Sequence, residues 1–417
     1  MEIFSDFFAF RKAPNAKQWP GPTIEDTKDY SLAVIEFDDQ GWYHDLNQRD
    51  DLNRYLDCNR NEDLLIMVFI HGWKHNAAPD DANLRSFRAV LKDARLSENR
   101  RPTPRQILGV YLSWRGLSLW GNWFWTNGSF WTRKNAASRV AVGSIREILA
   151  RLRAFQRARN EPSNELEAPN VGTRLIIVGH SFGGLILFTA VSEYLIESVT
   201  GRLLAGGDKK HVVRPFGDLV ILINPAFEAA RYQALYTAVL AKPAYPENQR
   251  LCFLAVTARN DQATGVAFPL GRWISTRLEA VRLNALSTGP ADAQKEANLN
   301  TIGHLRWLVT HRLSAAGSLE TSPHQAYEGR VSSNFDAEEL AFDIFNKEFR
   351  RDGHLLKGWK RTYTEGAILK HVAGDPDNPF WIVEAMPEVI DGHNGIFRPV
   401  FLDFLRQICD DRLRHIG

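Results

Sequence analysis

Residues 174–191 read RLIIVGHSFGGLILFTAV and predict a buried strand that turns directly into a buried helix. RLIIVGH is a continuous apolar run, typical of a strand covered on both faces of its sheet, and the rest has the three and four residue apolar spacing of a helix. Gly179 and Gly183 flank Ser181 at two residues, where a Cβ would clash with neighbouring backbone in so sharp a turn. We therefore expect Ser181 at the carboxyl end of the strand, on its open side. The alternative is a glycine-rich turn with an incidental serine.

The rest of the chain repeats this alternation of strand and helix. Further strand-like apolar runs occupy residues 31–37, 64–70, 106–114, 218–224, 250–256 and 380–386. Helical spacing of apolar residues occupies 81–96, 136–155 and 183–199. Strands alternating with helices indicate an α/β domain built on a mostly parallel sheet.

One long interval interrupts the alternation. Between the runs at 250–256 and 380–386 lie a loop-like stretch, STGPADAQ, and two helical patterns at residues 298–313 and 337–349. Because both ends of the interval feed neighbouring core strands, we expect residues 262–378 to be a helical insertion or cap. The prediction is thus a single domain over residues 1–417, with residues 1–29 as an N-terminal extension.

Composition excludes several classes of protein. The 417 residues are 44% hydrophobic and 24% charged, as in soluble globular proteins, and a net charge of +2 gives no general attraction to nucleic acid. The three cysteines lack metal or redox spacing, which suits a reducing compartment. No segment has a basic leader or the roughly 18 apolar residues of a membrane span. We expect a cytoplasmic protein without an integral membrane segment, with signal-less export as the alternative.

The pattern Gly179-His180-Ser181-Phe182-Gly183, set between strand and helix, resembles the nucleophile elbow of the α/β-hydrolase family. Within that family it is most similar to serine esterases and lipases, and the resemblance extends from residue 31 to about residue 400. It implies an α/β-hydrolase fold, with Ser181 as nucleophile and the amide of Phe182 as an oxyanion donor. It also implies an acid and then a histidine later in the chain.

Two acidic residues follow strands at the expected place. Asp261 lies in the loop directly after the run at 250–256, where the family places its acid. Glu228 follows the preceding strand and is the alternative, because some lipases have the acid one strand earlier. An Asn-Asp pair at a strand end is also common turn chemistry, which would give Asp261 no role.

The expected histidine follows the last strand. His393, in DGHNGI, lies between the run at 380–386 and a closing apolar helix, and would act as general base and acid for Ser181. Four other histidines are alternatives, two on a helical pattern and two before the last strand: His304, His311, His354 and His371.

We expect the loop after an early strand to supply a second oxyanion donor. His71-Gly72-Trp73 follows the run at 64–70 and looks like the HG-x loop of the family, in which the amide of Trp73 would face the oxyanion. The pair could instead be a plain strand-end turn. The sequence departs from the HGGG loop of lipases, and the single glycine leaves the bulky Trp73 side chain beside the site.

The stretch GLSLWGNWFWTNGSFW, residues 116–131, is rich in tryptophan and follows the strand at 106–114. It shows no sustained helix or strand period, and TNGS at 126–129 is typical of a turn. We expect Trp120, Trp123 and Trp125 to form the wall or lid of a pocket for an apolar acyl group, because ligands of open α/β sheets bind at the carboxyl edge. Packing on the body, and a transient contact with a membrane surface, are the alternatives.

These features predict a serine hydrolase that cleaves carboxylic esters, small or lipid-like, through an acyl-enzyme. No cofactor and no metal is expected, because HExxH, G-x-G-x-x-G and Walker patterns do not occur. The alternatives are a thioesterase or amidase on the same triad, and a non-catalytic protein of the same fold that serves in binding.

Overall fold

The computed structural model describes residues 19–73, 75–114, 123–161, 172–200, 212–242, 244–247, 249–269, 293–315 and 335–413, and for residues 123–132, 267 and 335 the backbone alone. Its strands are β1 Ile24–Asp26, β2 Ser31–Phe37, β3 Leu64–Ile70, β4 Gln106–Trp114, β5 Arg174–His180, β6 Leu219–Ile223, β7 Phe253–Ala258, β8 His311–Ala315, β9 Arg350–Arg351, β10 His354–Leu355, β11 Lys360–Thr362, β12 Ala367–His371 and β13 Phe380–Ala385. Its α-helices are α1 Leu46–Cys58, α2 Ala82–Glu98, α3 Trp123–Val142, α4 Ile145–Asn160, α5 Phe182–Thr200, α6 Gln233–Ala241, α7 Ala293–Leu299, α8 Phe335–Phe349 and α9 Pro399–Leu413.

Within these ranges eleven strands form one sheet, in the order β1-β2-β4-β3-β5-β6-β7-β13-β8-β12-β11. All pairs from β2 to β8 are parallel. The pairs β1–β2, β8–β12 and β11–β12 at the two ends are antiparallel. The prediction of an α/β domain with a mostly parallel sheet is therefore confirmed.

Helices cover both faces of the sheet. One apolar core joins the sheet to α1, α3, α4, α5 and α6, and the other joins it to α2, α8 and α9. Along β3 the side chains alternate between these cores, with Leu64 and Ile66 in the first and Leu65 and Phe69 in the second. Burial on both faces explains why the central strands are continuous apolar runs in the sequence.

Helix α5 is the most apolar helix of the first core. Among the described residues it is the one helix long and apolar enough to cross a bilayer by length and composition. In this structure its first seven residues are all buried, and it packs on β5, β6 and α3. A helix that is apolar on all sides is typical of a buried core position, so its composition follows from its place in the fold.

The interval at 262–378 is not only a helical insertion. Residues 298–313, predicted to be a helix, form a 3₁₀ turn Ile302–His304, further turns and most of β8. Strands β8, β11 and β12 extend the main sheet beyond β13. A Cβ on Gly303 would lie 1.9 Å from Thr257 Oγ1, so this turn packs directly on β7. The apolar residues of the stretch are spaced by three, which fits 3₁₀ turns as well as a helix.

Two other local predictions differ from the structure. Residues 126–129, predicted to be a turn, lie within α3, and the helix predicted over 136–155 is broken between α3 and α4. The break occurs at Gly143, where a Cβ would lie 2.6 Å from the carbonyl oxygen of Gly41, and the next amide, of Ser144, donates to that oxygen. Part of the expected N-terminal extension also belongs to the body, because β1 pairs with β2 and Trp19 is buried.

Candidate active site

The turn between β5 and α5 has the geometry that the glycine spacing predicts. Ser181 has φ +57°, in the left-handed region that non-glycine residues rarely adopt. A Cβ on Gly183 would lie 2.0 Å from the carbonyl oxygen of Ile70, and one on Gly179 would lie 2.6 Å from that of Gly183. The Ser181 amide still donates to the Ile223 carbonyl at 2.9 Å, so the turn stays fastened to β6. Close packing against the backbone of Ile70, Gly183 and Ile223 thus keeps Ser181 in its strained conformation.

Three parallel strands bring Ser181, Asp261 and His393 together at their carboxyl ends. Ser181 follows β5, Asp261 follows β7 and His393 follows β13. His393 Nε2 lies 2.7 Å from Ser181 Oγ, and His393 Nδ1 lies 2.7 Å from Asp261 Oδ2. The Asp261 side chain is fully buried, whereas that of His393 keeps 18% of its surface exposed. The partly exposed histidine therefore connects a buried carboxylate to the hydroxyl of Ser181, a residue that is itself buried.

The carboxylate fixes the tautomer of His393. An ionised carboxylate only accepts hydrogen bonds, so Nδ1 carries the proton and Nε2 accepts from the Ser181 hydroxyl. Burial acts to raise the pKa of Asp261, but the His393 charge and hydrogen bonds from His393 and Thr264 outweigh it and lower that pKa. Asp261 is consequently ionised at neutral pH, which is the state that orients the imidazole.

Asp261 is held by a turn that the sequence pattern did not single out. Its Oδ1 accepts from the amides of Ala263 and Thr264 at 2.9 and 3.1 Å, and its Oδ2 accepts from Thr264 Oγ1 at 2.6 Å. The Thr264 hydroxyl in turn accepts from His304 Nε2 at 2.9 Å, since its own proton goes to the carboxylate. Burial lowers the pKa of His304, so this imidazole is neutral. A continuous hydrogen-bonded chain thus runs from Ser181 to His304.

The backbone beside His393 is also fixed by buried side chains. Its carbonyl oxygen accepts from Asn224 Nδ2 at 2.8 Å and from His180 Nε2 at 3.0 Å. Asn224 also accepts from the Ala258 amide, and its φ of +44° lies in the left-handed region that asparagine tolerates. Burial and the neighbouring His393 charge hold the pKa of His180 well below its usual value. The ends of β5, β6 and β7 together position the loop of His393.

The alternative acid and the alternative histidines contact residues other than Ser181. Glu228 forms ion pairs with Lys134 and Arg231, and the former pair is buried. His354 Nδ1 lies 2.7 Å from an oxygen of Asp377. The other two histidines, His311 and His371, face each other across β8 and β12. His304 reaches the chain described above only through Thr264. In the described part of the protein, His393 is the histidine that contacts Ser181.

The loop after β3 approaches Ser181 closely. A Cβ on Gly72 would lie 2.7 Å from the Ser181 Cβ. His71 is buried, and burial lowers its pKa to about 4. Its Nε2 accepts from the Trp114 amide at 3.2 Å, so its Nδ1 carries the proton and donates to the Gly72 carbonyl at 2.8 Å. Because the peptide is trans, the amide of Trp73 points away from that carbonyl.

The aromatic stretch is described only in part. Trp120 lies outside the described residues, and Trp123 and Trp125 lie in α3 within the segment described by backbone alone. Farther along α3, Lys134 pairs with Glu228, which follows β6, and its Nζ lies 4.8 Å from the Phe268 ring, seven residues after Asp261. The middle of α3 is therefore fastened to two loops at the carboxyl edge that carries Ser181.

The sequence patterns do not predict the supporting contacts of four side chains: His71, which they place only in the loop after β3, His304, which they offer only as an alternative triad histidine, Asn224 and Thr264. Asn224 could have been found, because it directly follows a buried strand and precedes proline.

Among the described residues, no group of three or more His, Cys, Asp or Glu side chains is arranged to hold a metal ion. No protein-family model matches the chain. No curated protein shows significant similarity to it.

Proposed function

We propose that this chain is a serine hydrolase with the α/β-hydrolase fold, acting on carboxylic esters with an apolar acyl group. The observation that carries the proposal is the pair of 2.7 Å contacts joining Ser181 Oγ, His393 and Asp261, with Ser181 held at a strained elbow. In the core of a protein, a histidine without a catalytic role would not require both a serine at positive φ beside one nitrogen and a buried carboxylate beside the other. The strained turn exposes a serine nucleophile, and the carboxylate orients the histidine that activates it.

In the proposed reaction, Ser181 Oγ attacks the ester carbonyl carbon while His393 Nε2 accepts the hydroxyl proton. The tetrahedral intermediate collapses when His393 returns that proton to the departing alkoxide, which releases the alcohol and leaves an acyl group on Ser181. Water then attacks the acyl carbon with the same assistance and releases the acid. Asp261, ionised throughout, stabilises the imidazolium and keeps its Nδ1 in place.

The oxyanion would be stabilised by two backbone amides. Phe182 is the first residue of α5, so its amide lies at the positive end of the helix dipole beside Ser181. The second amide is that of Trp73, on the loop that packs against Ser181. It points away from the Gly72 carbonyl, which accepts a hydrogen bond from His71. Each such donor contributes roughly 3 kcal/mol to transition-state stabilisation.

The preference for an apolar acyl group rests on the position of α3. Its first half is rich in tryptophan. The segment that follows carries Lys134, which pairs with Glu228 and lies over the ring of Phe268. A wall of tryptophans at this edge would favour acyl chains over charged groups. Cytoplasmic activity on small or lipid-like esters remains part of the proposal.

Ser181→Ala tests the reaction directly. The variant is expected to lose at least about a thousandfold in kcat on p-nitrophenyl butyrate, because alanine has no hydroxyl with which to form the acyl-enzyme. Ser198→Ala, on the same helix α5, is the matched control and should keep wild-type activity. If purified wild-type protein hydrolyses no oxygen esters, thioesters or amides, the proposal of a hydrolase is wrong and the alternative of a non-catalytic binding protein is favoured.

A further inference from the structure

A cavity of about 90 Å³ lies at the opposite edge of the sheet from Ser181. Arg250, which precedes β7, and Trp381, at the start of β13, line it together with residues of α8 and α9. Asp261 and His393 follow the other ends of the same two strands. Since each strand has six residues, the cavity lies roughly 20 Å from them.

The lining carries a surplus of positive charge. It contains four guanidinium groups and one carboxylate, those of Arg250, Arg350, Arg361, Arg412 and Asp411. Arg361 forms an ion pair with Asp411, which accounts for the one negative charge. The remaining lining charges are all cationic.

Arg250 and Arg412 bind main-chain oxygens rather than carboxylates. Arg250 donates to the Arg412 carbonyl at 3.2 Å, and Arg412 donates to the Asp218 carbonyl at 3.0 Å. The Asp218 carboxylate itself contacts Arg174. Within the described ranges neither arginine lies in an ion pair. Burial, then the charges of Arg412 and Arg174, lower the pKa of Arg250 against the opposing charge of Asp218.

The other walls are aromatic. Trp359, Trp381 and Phe345 line the cavity, and Phe345 and Tyr363 lie with ring centroids 5.7 and 4.7 Å from the Arg361 guanidinium carbon. The volume is smaller than the roughly 150 Å³ of an apolar cavity known to hold benzene, so only a short apolar group would fit. Partly buried cations beside an apolar recess match a ligand that joins an anionic group to a short hydrocarbon.

We propose that this cavity binds a small organic anion, either a carboxylate or a phosphate monoester. The anionic oxygens meet Arg250 and Arg412, and the apolar part enters between the aromatic side chains of α8, β13 and the segment before β11. The site is separate from Ser181 and does not depend on the hydrolase proposal.

Isothermal titration of the full chain with butyrate, n-butyl phosphate and 1-butanol tests the ligand chemistry. At least one anion is expected to bind ten times more tightly than the alcohol, and comparison of the two anions identifies the headgroup. Arg250→Gln and Arg412→Gln should each weaken that binding at least tenfold. Arg157→Gln, on the exposed surface of α4, should leave it unchanged. Equal binding of alcohol and anions, or no effect of either cavity variant, would overturn the proposal.

A crystal of the wild-type protein soaked in 4-bromobutyrate gives a test that needs no variant to fold. The anomalous signal of bromine should appear between α8 and α9. A signal confined to any other place on the molecule, or none, would overturn the proposal for carboxylates. The corresponding bromoalkyl phosphate then tests the other headgroup.

Discussion

At the residue scale, the candidate site is a hydrogen-bonded chain longer than the three residues that its sequence motifs predict. Ser181, Asp261 and His393 could be selected from the sequence because each follows a recognisable strand in the expected order. Thr264 and His304 could not, because their contact depends on a π-helical turn, Ala263–Ala267, and a 3₁₀ turn about forty residues later. Neither turn has a periodic apolar pattern that would indicate it.

Thr264→Val tests whether this extension positions the acid. Asp261 would lose a hydrogen bond to its Oδ2 but keep two backbone donors on Oδ1. Hydrogen bonds to charged groups contribute about 1.5–3 kcal/mol, so kcat should fall by roughly ten- to a hundredfold with little change in KM. Thr264→Ser should restore most of the activity. A valine variant with wild-type kcat would show that the Thr264 hydroxyl has no positioning role.

Asp261→Asn and Glu228→Gln distinguish the two acids. The first change should lower kcat by about 10⁴-fold, because asparagine no longer selects the required tautomer of His393. The second should leave kcat within a few-fold of wild type. It should lower the free energy of unfolding, since it removes the carboxylate charge from the buried contact with Lys134. If only the Glu228 change abolishes hydrolysis, the assignment of the acid is wrong.

At the element scale, the seven central strands, β2 to β7 and β13, were predicted well, whereas β1, β8, β11, β12 and the connections were not. Strands buried on both faces leave long apolar runs, so their places in the sequence are unambiguous. Residues 298–313 were predicted incorrectly because their three-residue apolar spacing fits several kinds of turn. The break at Gly143 depends on its contact with Gly41, about a hundred residues earlier in the chain, so the local sequence pattern does not predict it.

Gly303→Ala tests the tight contact between the 3₁₀ turn and β7. The added Cβ would lie 1.9 Å from Thr257 Oγ1 in a position without space, and overpacking of this kind typically costs about 1–3 kcal/mol. Gly395→Ala is the control, because the nearest atom to its Cβ lies 3.5 Å away. Urea unfolding followed by circular dichroism should show a lower midpoint for Gly303→Ala alone. Equal midpoints would mean that the turn moves away from β7 at little cost.

At the scale of the whole molecule, the fold buries several neutral histidines. Burial lowers the pKa of His71 to about 4 and holds those of His180 and His311 well below their usual value. The unfolded chain, with a histidine pKa near 6.5, therefore takes up protons first as the pH falls. The stability that these neutral histidines contribute is fully present above about pH 6.5. Below that pH, each of them lowers the free energy of unfolding by up to roughly 1.4 kcal/mol per pH unit.

His311→Phe tests this pH dependence away from the candidate site. His311 is buried among Trp359, Trp381 and His371, and among the described residues His371 is the one other titratable group that affects the pKa of His311. Unfolding free energies measured between pH 7 and pH 5 should fall less steeply in the variant, by up to about 1.4 kcal/mol per pH unit. Parallel slopes for the two proteins would show that His311 is not held neutral by the fold.

The central claim is that Ser181 is an activated nucleophile, and covalent labelling tests it most directly. Wild-type protein incubated with a fluorophosphonate should gain one adduct, located by tandem mass spectrometry on Ser181, with much slower labelling in His393→Ala. Folded wild-type protein that stays unlabelled, or that carries the adduct on a different residue, would contradict the account.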